Sequence, residues 1–527
     1  MECFFNFLTV YLNLSTLSLL KCCFRLYTVA RVGIFQGKKP YHLTVMSEMS
    51  DNSQLIRNFT ELLGSDRVLT DPADRIVYEC DGLVLNKRMP DVVVLPETTE
   101  EVAAIVKICN RHEVPYLARG AGTGLSGGAV AHDGGVILQM SLMNRILEIN
   151  YDDELAVVQP GVVNIQLSDQ TTEAGYHFAP DPSSQKACTI GGNVAENAGG
   201  PHTLKYGVTT DHVLGLTAVL PNGSVETFGG RCEDIPGYDL IGLMVGSEGT
   251  LGITTEITVK LTRNPQMVQT FLAVYDSIEA ASQTITRIIS AGIVPAALEL
   301  IDSLVIEAVE SHMKLGFPTD AEAILLIEID GAPLQLSSET KRIEVICQEN
   351  GAREFRHAQN EQERQDLWRG RKESIGALGK VTQAFYTNDG VVPRSKLPEI
   401  IRRDMEIGKK HGLRVAHVCH AGDGNIHPII LYNPDDDQEI KAALAVSEEI
   451  LKTCVDLGGS LTGEHGIGTE KRETFSLMFS NDDQQQMMKV RIVFNPQNLL
   501  NPGKIFPTGA RCGEAKIKKT ISRGGWL

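Results

Sequence analysis

The stretch RGAGTGLSGG, residues 119–128, decides the fold of this chain. Two apolar runs typical of buried strands, residues 91–95 and 114–118, precede it. Between these runs apolar residues recur at helical spacing, after Thr98 and Glu101 in the pattern of a capping box. The sequence therefore predicts a strand–helix–strand unit that ends in a glycine-rich loop.

The glycine loop, residues 119–128, resembles a dinucleotide-binding fingerprint only in part. Gly122, Gly124 and Gly127 have the right spacing, but that fingerprint requires a helix directly after the glycines. Residues 136–140 instead predict another strand, and the Lys–Ser/Thr pair of a P-loop is absent. Two interpretations remain: a nest of backbone N–H groups for a pyrophosphate, or an ordinary glycine-rich turn.

Further glycine clusters favour the nest. TIGGNVAENAGG occupies residues 189–200 and GSEGTLGI occupies residues 246–253, while PDPSS at 180–184 and Tyr206-Gly207 lie between or beside them. So many glycine-rich segments exceed the needs of one turn. Because glycine allows a ligand to approach the backbone closely, they predict a cradle around an extended ligand.

Two stretches near the C-terminus carry imidazoles and a carboxylate. HAGDGNIH runs from His420 to His427, and GEHGIG, residues 463–468, contains Glu464 and His465. The Asp–Gly pair in the first stretch signals a hairpin that would bring its two histidines together. Neutral imidazoles and a carboxylate are suitable ligands for a divalent ion, and a free histidine beside them could accept a hydroxyl proton. The alternative for each histidine is a hydrogen-bonded imidazole in the core.

Composition limits the possible classes of protein. A chain of 527 residues exceeds one ordinary core, so two or three domains are expected. Its net charge of −17 disfavours nucleic acid as a partner. Eleven scattered cysteines without a Cys-x-x-Cys pair predict neither an iron–sulfur cluster nor a disulfide framework, which agrees with a reducing compartment.

Residues 1–45 form an unusual extension. An apolar run over residues 4–20 precedes the basic residues, the reverse of a signal peptide, and is too short and polar for a spanning helix. We expect a disordered or dispensable leader, or an upstream start with Met46 as the true first residue. A transit-like or membrane-associating extension is the alternative.

The region after residue 264 predicts a second domain. Strands are expected at 268–275, 298–301, 324–329 and 353–355, with helices after Ser277 and over residues 337–349. This β-α-β-β-α-β order is typical of a ferredoxin-like unit.

These motifs, together with the closing NPGKIFP at residues 501–507, occur in an order that resembles FAD-dependent oxidoreductases of the vanillyl-alcohol-oxidase type. The resemblance covers roughly residues 55–507 and is greatest to the glycolate dehydrogenase (glycolate oxidase) flavin subunit and D-lactate dehydrogenase family. It implies an α+β fold with a two-part FAD-binding (PCMH) domain, a ferredoxin-like cap or substrate domain and a C-terminal helical segment. The expected boundaries are 1–45 for the extension, 46–263 for the FAD domain, 264–507 for the FAD-linked oxidase C-terminal domain with the substrate and metal sites, and 508–527 for a tail.

The resemblance also implies a cofactor, FAD, whose pyrophosphate lies on the glycine loop. Some relatives attach FAD through a histidine in this loop; here residues 121–123 read Ala-Gly-Thr, which implies non-covalent FAD. The residues expected to bind FAD are Arg119, Gly120, Ala121, Gly122, Thr123, Gly124, Ser126, Gly127, Pro180, Asp181, Gly191, Gly192, Asn193, Asn197, Gly199, Gly200, Tyr206, Gly207, Glu248, Gly252 and Ile253.

The resemblance further implies an active site and a substrate class. A divalent metal, expected to be zinc, would be held by His420, His427 and Glu464; the catalytic residues would be His465 as base, Arg371 as the clamp of the substrate carboxylate, and Asn425 as an orienting residue. Ile375 and Tyr386 stand where dicarboxylate enzymes tend to carry threonine and lysine, so a short D-2-hydroxy acid is expected.

The expected reaction is oxidation of glycolate to glyoxylate, or of D-lactate to pyruvate, by hydride transfer to flavin N5 with metal-assisted proton abstraction. D-2-hydroxyglutarate dehydrogenase and a non-catalytic flavin-fold subunit of a glycolate dehydrogenase complex are the alternatives. Electrons would pass to an iron–sulfur subunit, a second flavin-like subunit or a quinone. The expected location is the cytoplasm, with membrane association at most peripheral, at the inner face.

Overall fold

The computed structural model of the protein describes residues 42–233 and 236–507. The chain divides into two compact units, residues 1–54 and residues 55–527. In the first unit the described residues form the beginning of helix α1 (His42–Leu63). Most of the expected extension and the whole of the expected tail therefore lie outside the described residues.

The predicted strand–helix–strand unit opens a four-stranded sheet with the order β1-β2-β4-β3. Its elements are β1 (Val68–Leu69), α2 (Pro72–Arg75), β2 (Val92–Val94), α3 (Thr99–His112), β3 (Tyr116–Arg119) and β4 (Val136–Gln139). Strands β2 and β3 both run parallel to β4, so a strand follows the glycine loop, as predicted. The Thr98 hydroxyl accepts the N–H of Glu101, but the Glu101 carboxylate accepts the N–H of Glu97, so half of the predicted capping box forms.

A five-stranded antiparallel sheet comes next, with the order β5-β6-β10-β8-β9. Its strands are β5 (Ile146–Asn150), β6 (Leu155–Val158), β8 (Val213–Val219), β9 (Val225–Gly229) and β10 (Ile253–Lys260), and β7 (Tyr176–His177) pairs separately with β11 (Thr262–Arg263). The intervening helices are α4 (Asn164–Thr171), α5 (Ile190–Glu196), α6 (Thr203–Tyr206) and α7 (Leu240–Met244). Along β10 buried and half-buried residues alternate, which is the pattern of a sheet with one covered face.

An eight-stranded sheet follows, in which β15-β12-β14-β13-β18-β19-β16 are neighbours in that order and β17 also pairs with β19. Its strands are β12 (Met267–Tyr275), β13 (Ala297–Asp302), β14 (Ala323–Gly331), β15 (Glu354–His357), β16 (Ala384–Thr387), β17 (Gly390–Val391), β18 (Arg414–His420) and β19 (Asn425–Tyr432). Strands β12, β13, β14 and β15 are neighbours in the order β15-β12-β14-β13, which is that of the predicted ferredoxin-like unit. The predicted hairpin of β18 and β19 extends this part of the sheet.

Helices cover both faces of this large sheet. They are α8 (Ile278–Ser290), α9 (Ser303–Met313), α10 (Pro333–Glu349), α11 (Glu361–Lys372), α12 (Ser374–Leu378), α13 (Leu397–Lys410) and α14 (Asp437–Asp456), and α15 (Asn481–Phe494) follows later in the chain. One face packs against α8, α10, α13 and α14, and the other against α9, α11 and α12. Because both faces are covered, β14 is buried along nearly its whole length and its burial shows no alternation.

None of the helices in the described part of the chain combines the length and apolarity that crossing a membrane requires.

Candidate active site

Strand register brings the two histidines of the first C-terminal stretch together. In the β18–β19 hairpin, His420 is opposite Asn425 and His427 is opposite Val418. Both imidazoles lie on the sheet face covered by α9, α11 and α12, and their ring centroids are 5.1 Å apart. The interpretation of Asp-Gly as a hairpin turn is therefore confirmed.

Glu464 reaches the same face from a loop whose anchoring residue, Asp389, the sequence did not reveal. The N–H groups of Gly463, Glu464 and His465 all point at the carboxylate of Asp389, at 3.0 to 3.3 Å. Lys471 pairs with the same carboxylate at 3.0 Å, and both side chains are fully buried. Although burial alone would raise it, Lys471 and the neighbouring imidazoles hold the pKa of Asp389 well below its usual range. Asp389 thus fixes the loop that carries Glu464 and His465.

The His–His–Glu cluster, formed by His420, His427 and Glu464, has the composition and spacing of a metal site. Glu464 Oε1 lies 3.3 Å from His420 Nε2 and 3.2 Å from His427 Nε2. The donor atoms of the three residues are all within 4.8 Å of one another. Two imidazoles and one carboxylate with room for substrate are the ligand set of a catalytic zinc site. The residues present therefore fit the expected metal.

A second combination of potential ligands is less suitable. Asp389, His427 and His465 also lie close enough to share an ion. However, the Asp389 carboxylate already accepts three backbone N–H groups and pairs with Lys471. The lone pairs of Asp389 are already used in these contacts and are not free for a metal ion, so the His–His–Glu cluster is the better ligand set.

A buried carboxylate, Glu299, supports the cluster from behind. It contacts His420 Nδ1 at 2.9 Å, which directs Nε2 of that ring towards Glu464. Burial alone would lower the pKa of His420, but Glu299 and Glu464 raise it to about 10. A metal ion and a proton compete for the Nε2 lone pair, so metal binding at this ring releases a proton.

Arg371 joins the same network. Its Nε donates to Glu299 Oε2 at 2.6 Å, and its Nη2 lies 2.5 Å from the same oxygen. Only 2 % of the residue is exposed, yet Arg371 lines a cavity that the glycine segments also line. Part of the expected carboxylate clamp is thus engaged with Glu299, which fixes the direction of the guanidinium.

His465 lies at the boundary between the cluster and the cavity. Its ring stacks on His427 with centroids 5.2 Å apart, and its Nε2 is 4.0 Å from Glu464 Oε1. Its Nδ1 is buried without a hydrogen-bond partner among the described residues. Burial, which outweighs the attraction of Asp389, lowers the pKa of His465 to about 4. A neutral imidazole with a free lone pair is the form that accepts a proton.

The glycine segments line one cavity of about 250 Å³, and Arg371, His427, Glu464 and His465 line it too. Within the described part of the chain, the N–H groups of residues 121–125 donate to no protein acceptor. Gly122 has φ +70°, and a Cβ there would lie 2.2 Å from the Arg119 guanidinium, which itself donates to the carbonyls of Cys80 and Ala129. Free N–H donors on a loop braced in this way suit a pyrophosphate, so the cavity fits FAD.

Twelve of the residues expected to bind FAD line this cavity: Arg119, Gly120, Ala121, Gly122, Thr123, Gly124, Gly191, Gly192, Asn193, Glu248, Gly252 and Ile253. The other nine do not line it: Ser126, Gly127, Pro180, Asp181, Asn197, Gly199, Gly200, Tyr206 and Gly207. Most of these nine make contacts that shape the fold. For example, the Ser126 carbonyl accepts the N–H of Thr469, and the Asn197 side chain accepts the N–H of Thr210.

Asn425 faces a smaller cavity of about 170 Å³ on the other side of the cluster. Gly199, Gly200, His420 and Glu464 also line this smaller cavity. The Asn425 Oδ1 is buried without a partner among the described residues. Its role as an orienting residue stays a prediction.

Asp181 contributes to a charged network instead of the cavity wall. His202 lies between Asp181 and Glu328, at 2.9 Å and 3.2 Å respectively. Arg364 pairs with Glu328, and the Trp368 indole donates to it at 2.6 Å, so Trp368 holds this buried carboxylate. Burial alone would lower the pKa of His202, but the two carboxylates raise it to about 10.

Tyr386 does not line the cavity. It points to the opposite face of the large sheet, where its hydroxyl donates to Glu470 at 2.8 Å. The next residue, Thr387, lines the cavity together with Ile375, because successive side chains of a strand alternate between faces. Position 386 therefore lies on the wrong side of β16 for a role in this cavity, and Thr387 is the residue of that strand that faces it.

The geometry can now be set beside known proteins. Residues 90–229 match the family described as FAD binding domain, and residues 264–505 match the family described as FAD linked oxidases, C-terminal domain. The chain is 43% identical over 464 residues to the glycolate oxidase subunit GlcD of Escherichia coli (strain K12), covering 88% of this chain and 93% of that protein. It is 33% identical over 472 residues to a D-lactate dehydrogenase of Anaerostipes hadrus, covering 87% of this chain and 99% of that protein.

Among solved structures, the fold is similar to that of p-cresol methylhydroxylase with substrate bound. The TM-score is 0.75 at 18% identity, and the match covers 87% of this chain and 98% of that one. At this identity the likeness concerns the fold alone, and it confirms the expected PCMH-type α+β architecture.

Proposed function

The chain belongs to the FAD-linked oxidases of the vanillyl-alcohol-oxidase type, and on that basis we propose that it oxidises a short D-2-hydroxy acid, glycolate in the first place and D-lactate in the second. It is an FAD-dependent hydroxy acid dehydrogenase. One observation carries the proposal: Arg371, two members of the His–His–Glu cluster (His427 and Glu464) and His465 line the same cavity as the glycine segments. A carboxylate clamp, a site for a divalent ion and a base are what a 2-hydroxy acid requires.

Arg371 would hold the substrate carboxylate. Glu299 already occupies its Nε and Nη2, so the guanidinium is oriented before substrate binds. Such pre-organisation reduces the entropy lost on binding. The pairing with an anionic substrate adds a charge-assisted hydrogen bond, for which arginine is well suited.

His465 would accept the proton of the 2-hydroxyl group. Its Nε2 lies next to the cluster, and burial keeps the ring neutral and able to take up a proton. A divalent ion held by His420, His427 and Glu464 would supply the positive charge that polarises this hydroxyl. FAD, when bound in the cavity, would supply the acceptor for the hydride from C2.

The size of the substrate follows from the cavity wall near Arg371. Ile375 and Thr387 face the cavity there and neither carries a positive charge. A second carboxylate beside Ile375 would lose its hydration without gaining a partner. This favours glycolate or D-lactate over a dicarboxylate such as D-2-hydroxyglutarate.

The reduced enzyme must pass its electrons on. The protein from Escherichia coli is named a subunit, which supports an assembly with further chains here also. We propose an iron–sulfur or second flavin-like subunit, or a quinone, as the acceptor.

A dye-linked assay with a panel of 2-hydroxy acids tests the proposal. Glycolate and D-lactate should reduce the dye, and a chelator should abolish the activity until a divalent ion is restored. Activity that resists complete removal of metal, or a lack of reduction by every 2-hydroxy acid, would contradict it. The matched controls are L-lactate and acetate, which lack the D configuration and the hydroxyl respectively.

A further inference from the structure

One acidic side chain at the cavity lined by the glycine segments has no function in the reaction outlined above. Glu196 is the last residue of α5, the helix that begins beside the glycine loop, where Thr189 lies against Gly120. Its side chain lines the cavity. Its Oε2 is buried and accepts no hydrogen bond from any described residue. A buried carboxyl oxygen without a partner calls for an explanation.

The surroundings of Glu196 place it near the reacting end of the cavity. A Cβ at Gly466, the residue after His465, would lie 2.4 Å from Glu196 Oε2, and a Cβ at Gly128 would lie 2.7 Å from its Oε1. Both glycines thus leave room for this carboxyl group. Because His465 is the proposed base, the flavin ring would lie close to it, and Glu196 lies against the residue that follows His465.

The charges around Glu196 favour the neutral acid. Burial raises the pKa of Glu196 well above its usual range, and the nearby carboxylates of Glu248 and Asp81 raise it further. Lys504 and Lys471 oppose the shift, but Lys504 donates to the Val130 carbonyl and Lys471 to Asp389.

Glu248 is the member of the carboxyl pair that suits a negative charge. Its two oxygens accept the N–H groups of Ile467 and Gly468 at 2.7 and 2.6 Å, which stabilises its ionised form. Two carboxyl groups so close together cannot both ionise easily, and the one without donors takes the proton.

We propose that Glu196 is a neutral carboxylic acid that donates a hydrogen bond to the isoalloxazine ring of FAD. The acid has a proton to donate and no acceptor among the described residues, whereas the ring carries carbonyl oxygens and basic nitrogens. The bond strengthens when the ring gains electrons, so Glu196 favours the reduced cofactor. This inference rests on the proposed use of FAD in the cavity, but on no particular substrate.

The test is the midpoint potential of the bound FAD, measured without substrate by reduction with xanthine oxidase against a reference dye. Glu196→Gln keeps a donor and should leave the potential close to that of the wild type. Glu196→Ala removes the donor and should weaken the preference for reduced FAD by roughly ten- to a hundredfold, the range for a hydrogen bond to a charged group. For a two-electron couple this is a fall of about 30 to 60 mV.

Glu470→Gln is the matched control. Glu470 is also a buried acid with a raised pKa, about 7, caused first by burial, but its carboxyl oxygen accepts a hydrogen bond from the Tyr386 hydroxyl and the residue does not line the cavity. Its substitution should not change the potential.

The sign of the change decides the outcome. If Glu196 were an ionised carboxylate, both Glu196→Gln and Glu196→Ala would raise the potential, because a negative charge beside the ring would be removed. That result, or an unchanged potential in Glu196→Ala, overturns the proposal.

Infrared spectroscopy gives a second measurement that needs only the near-isosteric variant. The reduced-minus-oxidised difference spectrum should contain the carbonyl band of a protonated carboxylic acid in the wild type and in Glu470→Gln, and lack it in Glu196→Gln. A band that persists in Glu196→Gln contradicts the assignment. Since neither experiment uses the proposed substrate to reduce FAD, a failure of the enzyme to oxidise glycolate would affect neither readout.

Discussion

Removal of the Asp389 carboxylate should damage the site more than any other single polar substitution near it. Asp389 accepts the N–H groups of residues 463–465 and pairs with Lys471, and both side chains of the pair are fully buried. Asp389→Asn keeps the shape but removes the carboxylate that pairs with the Lys471 ammonium at 3.0 Å, and leaves only the more distant Glu470 at 3.9 Å. Breaking a buried ion pair from one side costs about 3–5 kcal/mol.

Two further variants separate the charge from the loop contacts. Lys471→Met should cost less than Asp389→Asn, because the remaining carboxylate keeps its three backbone donors. The double variant should be more stable than the sum of the two single changes predicts, by about 0.5–3 kcal/mol, the usual coupling for residues in direct contact.

The assay is urea unfolding in saturating FAD, with the free energy of unfolding compared among the four proteins. Metal content should also fall in Asp389→Asn, because the loop that presents Glu464 loses its anchor. A loss of less than about 1 kcal/mol in Asp389→Asn, or full additivity in the double variant, would refute the view that this buried pair holds the loop.

Three other expectations concern the cofactor, the substrate and pH. Acid precipitation should release all of the FAD, since residues 121–123 offer no histidine for attachment, and yellow colour in the pellet would contradict this. Glycolate or D-lactate should exceed D-2-hydroxyglutarate in kcat/KM because Ile375 offers no charge for a distal carboxylate; a tenfold advantage of the dicarboxylate, about 1.4 kcal/mol, would rule this out. Asp181 and Glu328 raise the pKa of His202 to about 10. The free energy of unfolding that His202 contributes, relative to His202→Gln, should therefore be complete below about pH 6.5 and vanish as pH rises through 10. A difference in unfolding free energy that is constant with pH would exclude this network.

The sequence predicted the architecture well where local patterns decide it. The strands at 268–275 and 324–329 and the helix after Ser277 are recognisable because apolar spacing and capping residues act within a few residues of chain. Helix α9 escaped prediction. Its core-facing residues Val305, Ile306, Ala308 and Val309 leave little polar contrast around the helix, so the amphipathic pattern that identifies helices is weak.

The support of the site could not be predicted in the same way. Glu299 occupies an apolar strand, and its contact with His420 depends on the register of β13 against β18, which joins residues far apart in sequence. Asp389 likewise acts on a loop more than seventy residues away. Thr387 was passed over in favour of Tyr386, because the alternation along β16 is known only once the buried face is known. Motifs therefore indicated the groups at the cavity, whereas the residues that orient them required the tertiary structure.

The most direct test of the account compares His465→Ala with His420→Ala in metal content, flavin spectrum and turnover. His465→Ala should keep both FAD and metal, since the His–His–Glu cluster is intact, while its kcat falls by roughly 10²–10⁴, the usual contribution of a positioned base. His420→Ala should keep FAD but lose the metal on elemental analysis, with activity partly restored by excess divalent ion. Loss of metal from His465→Ala together with its retention in His420→Ala would contradict the division of the site into a His–His–Glu metal cluster and a separate base.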